Sequence, residues 1–317
     1  MLNKALSILV LLVLLAFTGV ESTLKDATVY EQWNFGLEHY ASTAQGLIKI
    51  ESKDSFNFIL KTGADRIMDL AKGGEQLGIV TYNGRAYQYS NGKSESISIP
   101  RQKNGSPYVL NGILYKDGCW WISALEGMVF QIKNKSVIKS YQLRHSKSKG
   151  GLNINSIGLD NDDNIWVSSL DRVYFLTGIH KRRKNKLDFL ASSEFEFEAS
   201  HLFTSAQGVF VLSKRKSGEN TLSLGTLKAS MMDAIRKEIH LPDELSTSEK
   251  LLVSTSGEAY LTLFSQGKLY TFKDFNWTSQ EVAINYPEAN SITVLKDILW
   301  VGGPKGLMQT TIKPAPR

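Results

Sequence analysis

The strongest constraint on this chain is a phrase that recurs along its length. Its clearest copy has an apolar run at 154–159 and a polar turn at 161–164. Ile165-Trp166-Val167-Ser168-Ser169 follows, then a second turn at Asp171-Arg172 and the apolar run Val173-Tyr174-Phe175-Leu176. The same order returns as Cys119-Trp120-Trp121-Ile122-Ser123-Ala124 before Glu126-Gly127 and Met128-Val129-Phe130-Gln131-Ile132. It returns again as Ile298-Leu299-Trp300-Val301-Gly302-Gly303 before Pro304-Lys305-Gly306 and Leu307-Met308-Gln309. Weaker copies surround Tyr40, Ile79, Phe210 and Tyr260. With Tyr40, Ile79, Trp121, Trp166, Phe210, Tyr260 and Trp300 as anchors, the steps are 39, 42, 45, 44, 50 and 40 residues.

Steps of this size hold four short strands each, and radial repetition leaves only short, protected sheet edges. The spacing therefore predicts an all-β, seven-bladed β-propeller, with six blades as the alternative. The longest step has a local cause: residues 229–237 (ASMMDAIRK) read as a short helical insertion, and Pro242 ends the strand after it. Residues 27–33 supply a single strand, which belongs either to the inside of the first unit or to the outside of the last. The repeating tryptophans, Trp120, Trp121, Trp166 and Trp300, occupy equivalent second strands, a pattern that favours packing between neighbouring sheets over ligand stacking.

Composition agrees with this reading. Among 317 residues, 25 Gly, 14 Phe, 12 Tyr and 6 Trp accompany many short apolar runs, which favours strands and tight turns. Met1 to Lys4 brings one positive charge and residues 5–20 are apolar without an ionisable group, as in an export signal. We expect residues 1–22 to be a signal peptide cleaved before Thr23, or alternatively an uncleaved inner-membrane anchor, and residues 23–317 to be one propeller domain. Cys119 is the only cysteine, which excludes an internal disulfide and a cysteine-based zinc site. An exported chain without disulfides suits a bacterial periplasm or a secreted protein. Membrane contact is expected only if the first segment is retained.

The order of strand, Asp/Asn-rich turn, aliphatic-Trp-Val-small-small, turn and aliphatic-aromatic strand resembles the two-component regulator propeller repeat. The residues that carry the resemblance are Asp160, Asn164-Ile165-Trp166-Val167 and Leu299-Trp300-Val301-Gly302 with Gly306-Leu307; Gln45-Gly46-Leu47-Ile48 matches in part. The resemblance implies a propeller like those of periplasmic sensor regions, which recognise breakdown products of complex carbohydrates. Here it would stand alone, since no kinase-like or DNA-binding region accompanies it. What carries over is a fold and a binding role, with the ligand open.

Several stretches carry residues suited to a site. Asp160, Asp162, Asn164, Ser168 and Asp171 fall at EF-hand ligand positions, but Ile165 stands where the sharp turn needs Gly and strands replace the flanking helices, so no metal is expected. Asp and Asn there, as in Lys116-Asp117-Gly118 and Lys296-Asp297, read as turn residues. The basic run His180-Lys181-Arg182-Arg183-Lys184-Asn185-Lys186 and the cluster Arg144, His145, Lys147 and Lys149 fall on opposite faces, so no funnel for nucleic acid is expected. No catalytic motif occurs and the five histidines lack metal-ligand spacing, so no catalytic residue, metal or cofactor is assigned.

Propeller ligands meet the starts of inner strands and the turns between second and third strands. Those places hold Arg66, Asn155, His201 and Asn290 near strand starts, and Tyr82, Asn83, Arg85, Glu126, Asp171, Arg172 and Lys305 in turns. Aromatic and fork-like polar groups would suit a sugar or a peptide. The expected function is a non-catalytic exported ligand- or protein-binding propeller, a periplasmic sensory or recognition module for a small molecule, glycan or envelope protein. The alternatives are a propeller lyase or hydrolase with an axial active site, and a scaffold for envelope protein assembly.

Overall fold

A computed structural model describes residues 24, 27–52, 55–143, 153–159, 165–171, 176–183, 186–193, 197–205, 208–215, 219–225, 237–248, 250–254, 261–273, 276–284 and 286–312. The first sheet contains β1 (Val29–Phe35), β2 (Glu38–Thr43), β3 (Gly46–Ser52) and β4 (Ser55–Lys61), and the second β5 (Ile67–Gly73), β6 (Gln76–Thr81), β7 (Ala86–Ser90) and β8 (Lys93–Ile97). The third contains β9 (Leu110–Lys116), β10 (Cys119–Ala124), β11 (Met128–Lys133) and β12 (Ser136–Gln142), and the fourth β13 (Asn153–Leu159), β14 (Ile165–Asp171), β15 (Leu176–Arg183) and β16 (Lys186–Ser193). The fifth contains β17 (Phe197–Ser205), β18 (Gly208–Arg215), β19 (Asn220–Gly225) and β20 (Lys237–Ile239), and the sixth β21 (Leu252–Ser254), β22 (Leu261–Ser265), β23 (Lys268–Lys273) and β24 (Asn276–Glu281). The seventh has three strands among the described residues, β25 (Ser291–Leu295), β26 (Ile298–Gly303) and β27 (Gly306–Thr311). All pairings within sheets are antiparallel and follow chain order.

Sequential antiparallel strands follow from tight turns. Asn91-Gly92, Asp117-Gly118, Asn134-Lys135 and Gln266-Gly267 each place both central residues at positive φ, the backbone of the two-residue hairpin turn whose twist matches the strands it joins. Asp117 is therefore a turn residue, as its slot in the repeat suggested. First strands touch first strands of adjacent sheets: β1 with β5, β5 with β9, β9 with β13, β13 with β17, β21 with β25, and β25 with β1. Sheets five and six meet through Leu212, Ile239, Leu241, Leu245, Leu261 and Leu263. The sheets thus form a ring with the first strands innermost. Burial follows that geometry, since β10 is buried at all six positions while β8 is exposed at four of five.

The repeat anchors Tyr40, Ile79, Trp121, Trp166, Phe210 and Trp300 lie in second strands; Tyr260 lies outside the described residues. Trp121 packs with Ile154, Ile165 and Val167 of the fourth sheet, Trp120 with Ala71, Val80 and Ala86 of the second, and Trp300 with Val29, Ala41, Ile48 and Ile50 of the first. These rings fill the spaces between sheets. The second sheet differs by one residue from the sequence anchor. After the two-residue turn, the third position of its second strand is Gly78 and not Ile79. A β-carbon there would come within 2.7 Å of the Trp120 ring and 2.6 Å of Ile113 Cδ1. The indole that other sheets supply is supplied here by the next sheet, and glycine makes room for it.

The first and seventh sheets meet. Val29–Phe35 is the innermost strand of the first sheet, which settles the ambiguity of residues 27–33, and it packs on β25 and β26. Gln32 Nε2 donates to the Ser291 carbonyl and Oγ at 3.2 and 3.1 Å; Asn34 Nδ2 donates to Thr293 Oγ1 at 2.6 Å and the Val294 carbonyl at 2.9 Å. His39, 2% exposed, shares a hydrogen bond with Gln32 Oε1 at 3.0 Å and sets its ring against Trp300 at 5.0 Å. Burial pushes its imidazole down to about 3, so it is neutral in this seam. The helix expected over 229–237 falls mostly outside the described residues, and Lys237 itself begins β20. A four-residue helix α1 (Asp243–Ser246) follows Pro242 and buries Leu245.

Candidate functional site

Each first strand runs away from one rim of the ring, the second returns to it and the third leaves it. The segment before a first strand therefore meets the turn between the second and third strands of the same sheet. Backbone bonds record this: Tyr82 N–H to the Arg66 carbonyl at 2.9 Å, Leu125 N–H to Val109 at 2.9 Å, and Asn290 N–H to Gly302 at 2.7 Å.

At the second sheet this rim is rigid. Asp65, 5% exposed, accepts Thr81 Oγ1 at 2.7 Å and the Asn83 amide at 3.0 Å, so its carboxylate fixes the turn from below. Gly84, at φ 78°, lies so close to the third sheet's inbound loop that a β-carbon would sit 2.4 Å from the Tyr108 carbonyl. Tyr82 stands on this fixed turn with half of its surface in solvent, and Arg85 stands beside it with Nε 3.9 Å from Asp65.

Toward the axis the rim continues through Arg66. Its guanidinium lies 5.1 Å over the Tyr30 ring, and Nη2 is 3.3 Å from Glu31 Oε1. One turn deeper, Asp69 joins three first strands: Oδ1 accepts Trp33 Nε1 at 3.1 Å and the Leu70 amide at 2.8 Å, and Oδ2 accepts the Ile113 amide at 2.8 Å. Burial pushes the Asp69 carboxyl up to about 6, and these three donors only partly oppose it. Burial also pushes Glu31 up to about 7; the Asp69 charge adds to that, while Arg66 pulls the other way. The Glu31 side chain keeps 42% of its surface exposed beside Arg66.

The structure brings Arg66, Tyr82, Asn83 and Arg85 together. It places other expected residues on the same rim but occupies several of them. Glu126 accepts the Val109 amide at 3.2 and 3.3 Å and Gln102 Nε2 at 3.1 Å. Asn290 Nδ2 donates to the Val29 carbonyl at 3.4 Å across the ring closure. The Lys305 amide donates to Tyr286 Oη at 2.6 Å, and its ammonium is 3.6 Å from Glu288. Asn155 lies near the start of β13, but His201 lies in the middle of β17 instead of at its start, Asp171 is the last paired residue of β14 instead of a turn residue, and Arg172 lies outside the described residues. So do Asp160, Asp162 and Asn164 of the EF-hand-like stretch; Ser168 shares a 2.7 Å hydrogen bond with Ser156. Among the described residues no cluster of His, Cys, Asp or Glu could hold a metal ion, and no helix is long and apolar enough to cross a membrane.

Sequence reasoning missed Tyr30, Glu31, Asp65 and Asp69. A signal existed for Asp69, a carboxylate inside the otherwise apolar run Ile67-Met68-Asp69-Leu70-Ala71. The arrangement offers a guanidinium fork, a carboxyl raised above its ordinary value, and two tyrosine rings. Together these can meet a ligand that has both a polar edge and a flat face.

No protein-family model matches the chain, and no curated protein is similar to it in sequence. Solved structures are similar in shape. Virginiamycin B lyase from Staphylococcus aureus has a TM-score of 0.60 at 13% identity, over 90% of this chain and 94% of that one. The Cps50 (Swd1) beta-propeller domain from Myceliophteria thermophila has a TM-score of 0.64 at 12% identity, over 90% and 96%. The fold is a β-propeller. The extracellular domain of BT4673 from B. thetaiotaomicron, described as a hybrid two component system, has a TM-score of 0.58 at 15% identity. That match covers 94% of this chain but 39% of the other, so the propeller spans well under half of that domain.

Proposed function

We propose that this chain is an exported, non-catalytic recognition propeller whose seven sheets are seven blades, and that it binds its ligand at the rim of blades one and two. The observation that carries this reading is the Arg66–Glu31 pair, stacked on Tyr30 and set beside the rigid, exposed Tyr82 turn. Polar groups converging with aromatic faces on a fixed scaffold are what a glycan or peptide needs. The signal-like composition of residues 1–22 and the likeness to an extracellular domain described with a two component system support a sensory role outside the cytoplasm. Immobilised glycan and peptide libraries test it. The native chain should retain a discrete ligand set, and Arg66→Ala with Tyr82→Ala should lose it. Equal retention by the double variant would place recognition elsewhere.

One observation favours a second reading, an enzyme with its active site at the axis. Glu31, raised toward neutrality beside a cation, has the poise of a general base, and one neighbour of the same shape is a lyase. Incubating the ligands so retained with the native chain and with Glu31→Gln separates the two. Turnover seen by mass spectrometry and abolished by Glu31→Gln would make the protein an enzyme, whereas ligands recovered unchanged from both support recognition.

A further inference from the structure

Arg66 faces two claims at once. Its guanidinium is shared between the Glu31 carboxylate and the Tyr30 face, yet 46% of its side chain is open to solvent. Arg85 stands on the adjoining turn, 63% exposed, with a 3.9 Å approach to Asp65 as its ion pair. Asp65 itself is committed to Thr81 and Asn83. Both guanidiniums therefore keep surface that a ligand can reach. Resting on the recognition reading above, we infer that the rim is an acid-activated anion site, in which Arg66 and Arg85 receive a carboxylate, sulfate or phosphate group of the ligand and Glu31 competes for Arg66 until it is protonated.

Geometry makes the competition direct. Glu31 Oε1 lies 3.3 Å from Arg66 Nη2, which puts a second anion at Arg66 next to an existing one. Two anions sharing one guanidinium repel, and removing the charge of the first leaves donors free for the second. The charged and titratable groups around Glu31 among the described residues fit this role. The second sheet brings Arg66 and Asp69, β1 brings Tyr30, and β2 brings the uncharged Ser42 Oγ, which accepts the Glu31 amide at 3.0 Å. Asp69 is tied by three donors and stays in place, so its charge works on Glu31 without reaching the rim. Glu31, raised from 4.5 to about 7, changes charge across neutrality instead of in mildly acidic solution. If the competent form is the protonated one, affinity follows its fraction, which rises about tenfold between pH 8 and pH 6.

The test uses the native chain and a matched pair of probes, glucuronate and glucose, which share a sugar ring but differ in the carboxylate. Carboxyl ¹³C and guanidinium ¹⁵N shifts are followed by NMR at about pH 6 and about pH 8. Glucuronate should shift the Arg66 and Arg85 signals with about tenfold higher affinity at the lower pH, and glucose should show no such dependence. Glu31→Gln should bind glucuronate equally at both. Glu31 titrating at the ordinary carboxylate value, or a pH dependence that survives in Glu31→Gln, would overturn the acid activation while leaving recognition at this rim standing. Glu31 titrating near neutrality with no glucuronate shift at either pH would overturn the anion site; library ligands still retained in an Arg66-dependent way would then keep the recognition reading, and their loss would remove both.

Discussion

Strand β1 has two different flanks. Toward the seventh sheet it presents Gln32 and Asn34, which donate hydrogen bonds to Ser291, Thr293 and Val294, while His39 bonds to Gln32 and sets its ring against Trp300. Toward the second sheet it presents Trp33 and Phe35 to an apolar seam of Leu70, Leu77 and Ile79, and at the rim it leaves Tyr30 and Glu31 to meet Arg66. The first flank joins the first sheet to the seventh, which are distant in sequence, and directional bonds fix its register. The second flank follows from chain continuity and ordinary packing, and so its polar groups are available for chemistry. A strand that closes a ring can carry stability on one face and a site on the other.

That contrast can be broken from its stronger side first. Trp300→Ala should cost about 3–5 kcal/mol of unfolding free energy, measured in urea, because a large ring buried between the first and last sheets leaves a cavity. Asn34→Ala should cost about 1–3 kcal/mol, since Thr293 and the Val294 carbonyl lose a buried partner. Gly78→Ala should cost a similar amount, about 1–3 kcal/mol, by driving a methyl into Trp120 and Ile113.

The two flanks also differ in sign with pH. On the open flank Glu31 and Asp69 hold protons in the folded protein between their ordinary values, 4.5 and 3.8, and about 7 and 6. The folded state binds more protons in that window, so this contribution weakens stability as pH rises through it. On the closing flank His39 stays neutral when folded but takes a proton when unfolded below 6.5. Its contribution is complete above 6.5 and is lost as pH falls toward about 3. Urea midpoints across this range should show Asp69→Asn flattening the first trend and His39→Gln the second. The smallest effect should be Arg66→Ala, about 1 kcal/mol or less in stability, because its ion pair is largely exposed.

The ring of sheets was legible because its signal is local and repeated: Trp121, Trp166 and Trp300 recur after turns that any one unit could reveal. Gly78 hid its slot because the ring filling it comes from Trp120, 42 residues later. The rim was legible in topology, which placed Arg66, Tyr82 and Arg85 together from strand order alone. Its electrostatics were not. Glu31, Arg66 and Asp69 acquire their character from contact between the first and second sheets, and nothing in the local sequence of Glu31 marks it as the partner of Arg66. Glu126 and Asn290 illustrate the converse, since a polar residue in a rim turn is as often a cap for a neighbouring amide or carbonyl as a contact for a ligand.

The division of labour on β1 is tested most directly by measuring stability and ligand retention together for Asn34→Ala and Arg66→Ala. Asn34→Ala should lower the urea midpoint clearly and keep affinity for the retained glycan or peptide, while Arg66→Ala should keep the midpoint and lose the affinity. An Arg66→Ala protein that unfolds as readily as Asn34→Ala, or that binds as well as the native chain, would contradict the account.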